Sequence, residues 1–532
     1  MNEARRQEGA GLLPSLGAEL EMVVIDDAGA SGVVDDRYFL ALQQSRGGSV
    51  QTRTETMKGR IVALVSAMGV NGIDNGFNLL ETAHARIPAG AGGLDRLDAN
   101  MRSDLVQVLE ALDSQGLHLT SLAQHPTAGT GPEQYARAVA PKSVYDYLNR
   151  IRGWTHSAGI DAKAQNGPTT GVDLDNCIPA LNLLLAASPA FIALFANSPF
   201  EAGRRSGLME TRMTLWPRVV KSSRIPADRE RVGLPPRWFH SLGDYFAWTF
   251  APGTVMQAIP AASGSYKGRT SLFVAGDGRL NAGDFFRGGA VPGREVQTGE
   301  LQEIVPGAAH FEFLQWSNFL DFRIRFALGH PGPSQGELAA AFADPELFAP
   351  LFSEHAVNLY LENRCAGATF ADADLAERAP HPVHSSCMIA PSAMQAGLVV
   401  AARAQGAGFC RRWPVQRVAS LRERAIRNAL SGNDPELRDF CAEVLELARH
   451  HLPATERRHL AYADWVLETG LTGAQRALDH LAGLKASGCG VNGLERLARA
   501  RVVLPPLPGG DPGKEAGGRS ASDLPKNGSH RA

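Results

Sequence analysis

Two carboxylates stand at i and i+2 in Gly17-Ala18-Glu19-Leu20-Glu21-Met22-Val23, between apolar residues that also alternate. On a strand, side chains point to opposite faces in turn, so Glu19 and Glu21 share one face and their neighbours support it from the other. Phe77-Asn78-Leu79-Leu80-Glu81 brings a third acid at the end of a short apolar run. Late in the chain, Tyr360-Leu361-Glu362-Asn363-Arg364 sets a carboxylate and a guanidinium two apart, backed by Leu359 and Leu361. If these stretches are neighbours in one sheet, four carboxylates and an arginine crowd a single face. Such crowding of like charge is unfavourable unless divalent cations neutralise it, and carboxylate oxygens are the donors that magnesium takes.

The elements that position these groups follow from periodicity and punctuation. A first strand is read over 12–26, ended by the turn cluster Asp26-Asp27-Ala28-Gly29. Apolar residues at helical spacing predict helices over 56–68 and 94–117, with Asn71-Gly72 and Asn75-Gly76 as turns leading into the strand that ends at Glu81. A helix is read over 142–152. Pro168-Thr169-Thr170-Gly171-Val172-Asp173-Leu174-Asp175 alternates again, placing Asp173 on a polar face. The apolar run from Ile178 to Phe200 is long enough to cross a bilayer, but Pro189, Asn182 and Asn197 interrupt it, so a pair of buried core helices is predicted. A hairpin is read near Ser271–Leu280, and 388–503 is mostly helical. From Pro505 to Ala532 little can be buried, and a disordered tail is expected.

Composition narrows the function. A net charge of −2 gives no electrostatic footprint for nucleic acid or an anionic membrane. Six scattered cysteines without a CxxC suit free thiols in a reducing compartment, and the polar N-terminus has no apolar signal core, so cytoplasmic residence is expected. His381 and His384 read as a solvated loop pair, and Gly264-Ser265-Tyr266-Lys267-Gly268-Arg269 as a flexible loop without the full P-loop pattern.

Gly17-Ala18-Glu19-Leu20-Glu21 resembles the GxExE opening of the glutamate-cysteine ligase family, and Leu79-Leu80-Glu81 its second acidic strand. Leu194-Phe195-Ala196-Asn197-Ser198-Pro199-Phe200, followed by Met209-Glu210-Thr211-Arg212 and Trp216, is similar to a distinctive segment of its plant and proteobacterial branch. Leu351-Phe352-Ser353-Glu354 with Tyr360-Leu361-Glu362-Asn363-Arg364 resembles that branch's late strand. The resemblance implies an α+β fold like glutamine synthetase, an antiparallel sheet curved into a funnel and backed by helices. It implies a catalytic domain over 12–400 and a helical C-terminal region over 401–504 packed on it.

The implied reaction joins a carboxylate to an amine with ATP and Mg2+ through an acyl phosphate, with glutamate and cysteine as the small-molecule substrates. By the resemblance, Glu19, Glu21, Glu81 and Glu362 are metal ligands, Arg364 contacts the transferred phosphoryl group, and Arg212, with Asn197 and Trp216, binds substrate. Asp173 stands where the family carries His or Gln, so it adds a metal ligand or changes the substrate or nucleotide accepted. A relative that joins another amine, or a silent relative that only binds a small molecule or a partner, remains as an alternative.

Overall fold

Strand β1 (Ser15–Asp26) lies inside a ten-stranded sheet because both of its faces have somewhere to go: Leu16, Ala18, Leu20 and Met22 are buried on one, and Glu19 and Glu21 project from the other. The computed structural model describes residues 15–47, 51–128, 131–159, 163–250, 258–260, 272–275, 280–315, 318–486 and 493–506. After β1 come α1 (Asp36–Ser45), β2 (Arg53–Met57), β3 (Arg60–Ser66), β4 (Gly69–Ile73), β5 (Leu79–His84), α2 (Gly93–Asp113), β6 (Asn166–Gly171) and α3 (Leu174–Leu194). Strands β7 (Phe322–Leu328) and β8 (Ala356–Asn363) follow, then α4 (Ala390–Ala401), α5 (Val415–Asn428) and α6 (Pro435–His451). The strand order is β7-β8-β6-β1-β5-β4-β3-β2, with every neighbouring pair antiparallel. The expected α+β class and large antiparallel sheet are present.

The helices cover the face of the sheet opposite the acids. Helix α4 lies on β6, and its Gln395 amide donates to Pro168 O at 3.3 Å and Leu361 O at 3.0 Å, tying β6 to β8 from behind. Gly397 lets α6 approach: a Cβ there would fall 2.2 Å from Ala448 O. Helices α5 and α6 pack in turn on α3.

Several expectations change. Residues 56–68 are not a helix but the β2–β3 hairpin, turned by Lys58 and Gly59, both at positive φ as a tight two-residue turn requires. The helix of this region is α1, capped by Asp35, whose carboxylate accepts from Arg37 N. The apolar run is one helix, α3, rather than two. Pro179 and Pro189 lie inside it, and packing on all sides overrides the break. It is long and apolar enough to cross a membrane, yet 94% of its most apolar window is buried inside the protein. The expected divide at 400/401 falls within an unbroken helical run from Ala390 to Arg412, and one apolar core extends from Leu16 to Val503.

Leu272–Ala275 is a strand, but it pairs with Ala258–Pro260 and Val291–Glu295, outside the expected hairpin. His381 and His384 sit on a short helix, His381–Ser386, with rings 5.0 Å apart, rather than in a loop. The Gly264–Arg269 loop and the tail from 507 onward lie outside the described residues.

Candidate active site

The sheet face that carries the acids forms the floor of a cleft. Its acidic half is set by the β1–β5 ladder, where Glu21 and Glu81 are direct register partners and Glu19 stands two residues away on the same face. Asp74, just past the end of β4, adds a fourth carboxylate. Oxygens of Glu21, Asp74 and Glu81 lie within 4.8 Å of one another. Lys163 reaches into this group, its ammonium 3.0 and 2.9 Å from the two oxygens of Glu21 and 3.5 Å from Asp74. Burial pushes the Glu21 carboxyl up to about 7; Lys163 pulls it down, and Asp74 and Glu81 push the same way as burial.

The basic half lies on β7 and β8. Arg323 grips both oxygens of Glu362, Nη2 to Oε1 at 2.8 Å and Nε to Oε2 at 3.1 Å. Arg364 donates Nη1 to Oε1 at 2.8 Å, and Arg325 Nε lies 3.3 Å from Oε2. Burial alone would raise the Glu362 carboxyl, but the guanidiniums of Arg323, Arg325 and Arg364 overcome it and hold the group well below the usual carboxylate range. Three cations around one anion leave this half with an excess of positive charge. Arg364 also lies over the rings of Trp216 (5.3 Å) and Phe319 (5.2 Å), which stack on each other at 4.0 Å. Strand β6 separates the halves, and Gly167, the register partner of Glu19, puts no side chain between them.

The structure therefore brings Glu19, Glu21, Glu81, Glu362, Arg364 and Trp216 to one cleft. It regroups one of them. Glu362 does not stand with the acids as a metal ligand, because both of its oxygens are occupied by arginines.

Three other expected site residues lie elsewhere. Asp173 is the N-cap of α3: its carboxylate accepts from Asn176 N at 2.9 Å and pairs with Arg403 at the surface, so it is no metal ligand. Arg212 is buried behind the cleft wall, paired with Glu210 at 2.9 Å and donating to Arg364 O at 3.0 Å, so it supports Arg364 rather than meeting solvent-borne substrate. Asn197 is buried, and its amide donates to Ser121 O and Ala368 O, which makes it a fastener between segments.

Sequence reasoning missed Asp74, Lys163, Arg323 and Arg325, and also the aromatic end of the cleft, where Tyr145, Trp154 and His156 meet. The alternation Phe322-Arg323-Ile324-Arg325-Phe326 carried a readable signal for the two arginines. Burial lowers the His156 imidazole to about 4, with Asp74 acting the other way, so the ring is neutral at pH 7.

Residues 16–255 match the model of glutamate-cysteine ligase family 2. Chloroplastic glutamate–cysteine ligases of Medicago truncatula and Arabidopsis thaliana are 27% and 26% identical over 143 and 146 residues, 26% of this chain in each case and 26% and 25% of theirs. Across the curated relatives matched, the aligned stretch spans from 25% to 37% of the relative's length. A crystal structure of glutamate–cysteine ligase from Francisella tularensis in complex with AMP superposes at a TM-score of 0.46 and 11% identity, over 92% of this chain and 88% of that one. The stretch that matches the glutamate-cysteine ligase family, residues 16–255, is the one that builds the acidic half of the cleft.

Proposed function

We propose that this protein is an ATP- and Mg2+-dependent carboxylate–amine ligase that joins the γ-carboxylate of glutamate to an amine, with cysteine as the first candidate. The observation that carries the reading is the division of one cleft into an acidic and a basic half on either side of β6. A phosphoryl transfer between two anions needs both: cation ligands on one side and fixed positive charge on the other. The oxygen-only donor set of Glu21, Asp74 and Glu81, with Glu19 on the same face, fits Mg2+. Mg2+ bound there supplies charge neutralisation to the nucleotide phosphates.

The chain's own residues supply the rest. Arg364, Arg323 and Arg325 orient and stabilise the oxygens of the transferred group, and Glu362 fixes the arginines in place. A substrate carboxylate oxygen attacks the γ-phosphorus and ADP leaves. The amine nitrogen then attacks the acyl carbon, loses a proton, and phosphate departs with the electron pair of the broken C–O bond.

A second amine class is favoured by the cleft's aromatic end. Trp154, Tyr145 and His156 line the same cleft as the charged groups, and aromatic walls suit a bulkier or aromatic amine. The test is phosphate release from ATP and Mg2+ with glutamate and a panel of amines from cysteine to aromatic amino acids. Release with one amine supports the ligase and identifies its class. No release over background with any pair, in protein shown to bind nucleotide, leaves the silent binding relative.

A further inference from the structure

We propose that Lys163 is a built-in cation of the acidic half, holding one of the positions that a divalent ion would otherwise take. The inference rests on the ligase reading of the same cleft and concerns how many ions it accepts. Lys163 is 2% exposed, and its ammonium spans both oxygens of Glu21 while also approaching Asp74. The ammonium takes the space in which an ion bridging Glu21 and Asp74 would lie. The lysine is not a mobile surface side chain that happens to swing in. Its backbone is held by a β-bridge between Lys163 and Gln124, and Ala164 N donates to Ala123 O.

A tethered ammonium is always present, whereas a dissociable ion is present only when its concentration allows. With one charge of the group balanced from within, the cluster of Glu19, Glu21, Asp74 and Glu81 takes one dissociable ion fewer. Lys163 thereby acts as a positioning residue: it holds the Glu21 carboxylate in place and sets the metal stoichiometry of the site.

The experiment counts Mn2+ bound to the full chain, without nucleotide, by the loss of the free-ion EPR signal. Wild type is expected to bind about one Mn2+ in the cleft, Lys163→Met about two, and Lys163→Arg about one, because only loss of the charge frees Glu21 for coordination. The exposed group Glu337, Glu354 and His355 can add background binding, but it is common to all variants and leaves the difference unchanged. Where Lys163→Met does not fold, Lys163→Gln, which keeps a hydrogen-bond donor beside Glu21 but removes the charge, is expected to bind about two, and a count equal to wild type overturns the proposal. Equal, non-zero counts in wild type and Lys163→Met overturn the role of Lys163 while leaving the metal site standing. An unchanged count with tighter binding also overturns it, since the lysine would then be a competitor that metal displaces. No Mn2+ above background in any variant removes the metal-dependent reading itself, and this inference with it.

Discussion

Arg323 and Glu362 are register partners across β7 and β8, and the guanidinium of the first closes a two-pronged contact on the carboxylate of the second. The ladder itself thus sets the geometry of the basic half. Both side chains are buried at the floor of the cleft, so either is poorly solvated if its partner is lost. Removing one member of a buried ion pair strands the other, which costs about 3–5 kcal/mol. Glu362→Gln is accordingly expected to lower unfolding stability by about that amount as well as to abolish turnover, read by urea denaturation and by phosphate release. A variant with wild-type stability would show that the arginines do not depend on Glu362.

Arg364 is less entangled, since its guanidinium rests on Trp216 and Phe319 as well as on Glu362. Arg364→Met keeps the length and apolar contact of the side chain but removes its charge. Phosphate release is expected to fall by about 100-fold or more, the usual consequence of deleting a fixed charge at a developing anion, with a smaller effect on melting temperature. A loss below tenfold would take Arg364 out of the reacting centre.

Asp173 supplies a control from outside the cleft. Asp173→Ala should lose about 1 kcal/mol with its helix cap, and Asp173→Ser, which can still accept from the backbone, should recover most of it. Neither should alter Mn2+ binding or phosphate release. A change in metal affinity in either variant would return Asp173 to the site.

Acid should weaken the fold in a defined window. Burial lowers His125 and His156 to about 4, so between pH 6.5 and 4 the unfolded chain takes up protons at these sites that the folded chain does not. Their contribution is present above 6.5 and is lost as pH falls. Glu21, raised to about 7, works the other way, because the folded chain holds its proton down to the ordinary carboxylate range. The balance of two imidazoles against one carboxylate is a stability loss of about 1.4 kcal/mol per pH unit on acidification through that window. His84, also lowered by burial, adds in the same direction. Chemical denaturation at a series of pH values measures the slope, and His156→Gln should flatten it.

The acidic half was legible because Glu19 and Glu21 sit within an alternating apolar pattern that a strand accommodates, and Glu81 closes a short apolar run after two turn signals. Arg323 and Arg325 show the same alternation, but their meaning depends on facing Glu362 on another strand, a pairing that no local period reveals. Asp74 and Lys163 stand where periodic segments end, so nothing in their neighbourhood marks them. Asp173 misled for a stereochemical reason. An N-cap keeps extended backbone, here φ −76° and ψ 165°, so the strand-like alternation runs on past Gly171 into the first residues of α3. Arg212 and Asn197 lie in the segment that most resembles the family, yet burial makes them part of the wall.

The final described turn of the polypeptide is woven into its beginning. Arg501 is wholly enclosed between Asp372 and Asp374, Val503 N donates to Leu119 O, and Ser121 N donates to Arg501 O. A chain emerging from the ribosome therefore holds an unfinished interior until Arg501 and Val503 are out. A premature stop near residue 490 would leave Asp372 and Asp374 without Arg501, and would be felt through the whole molecule rather than at one end.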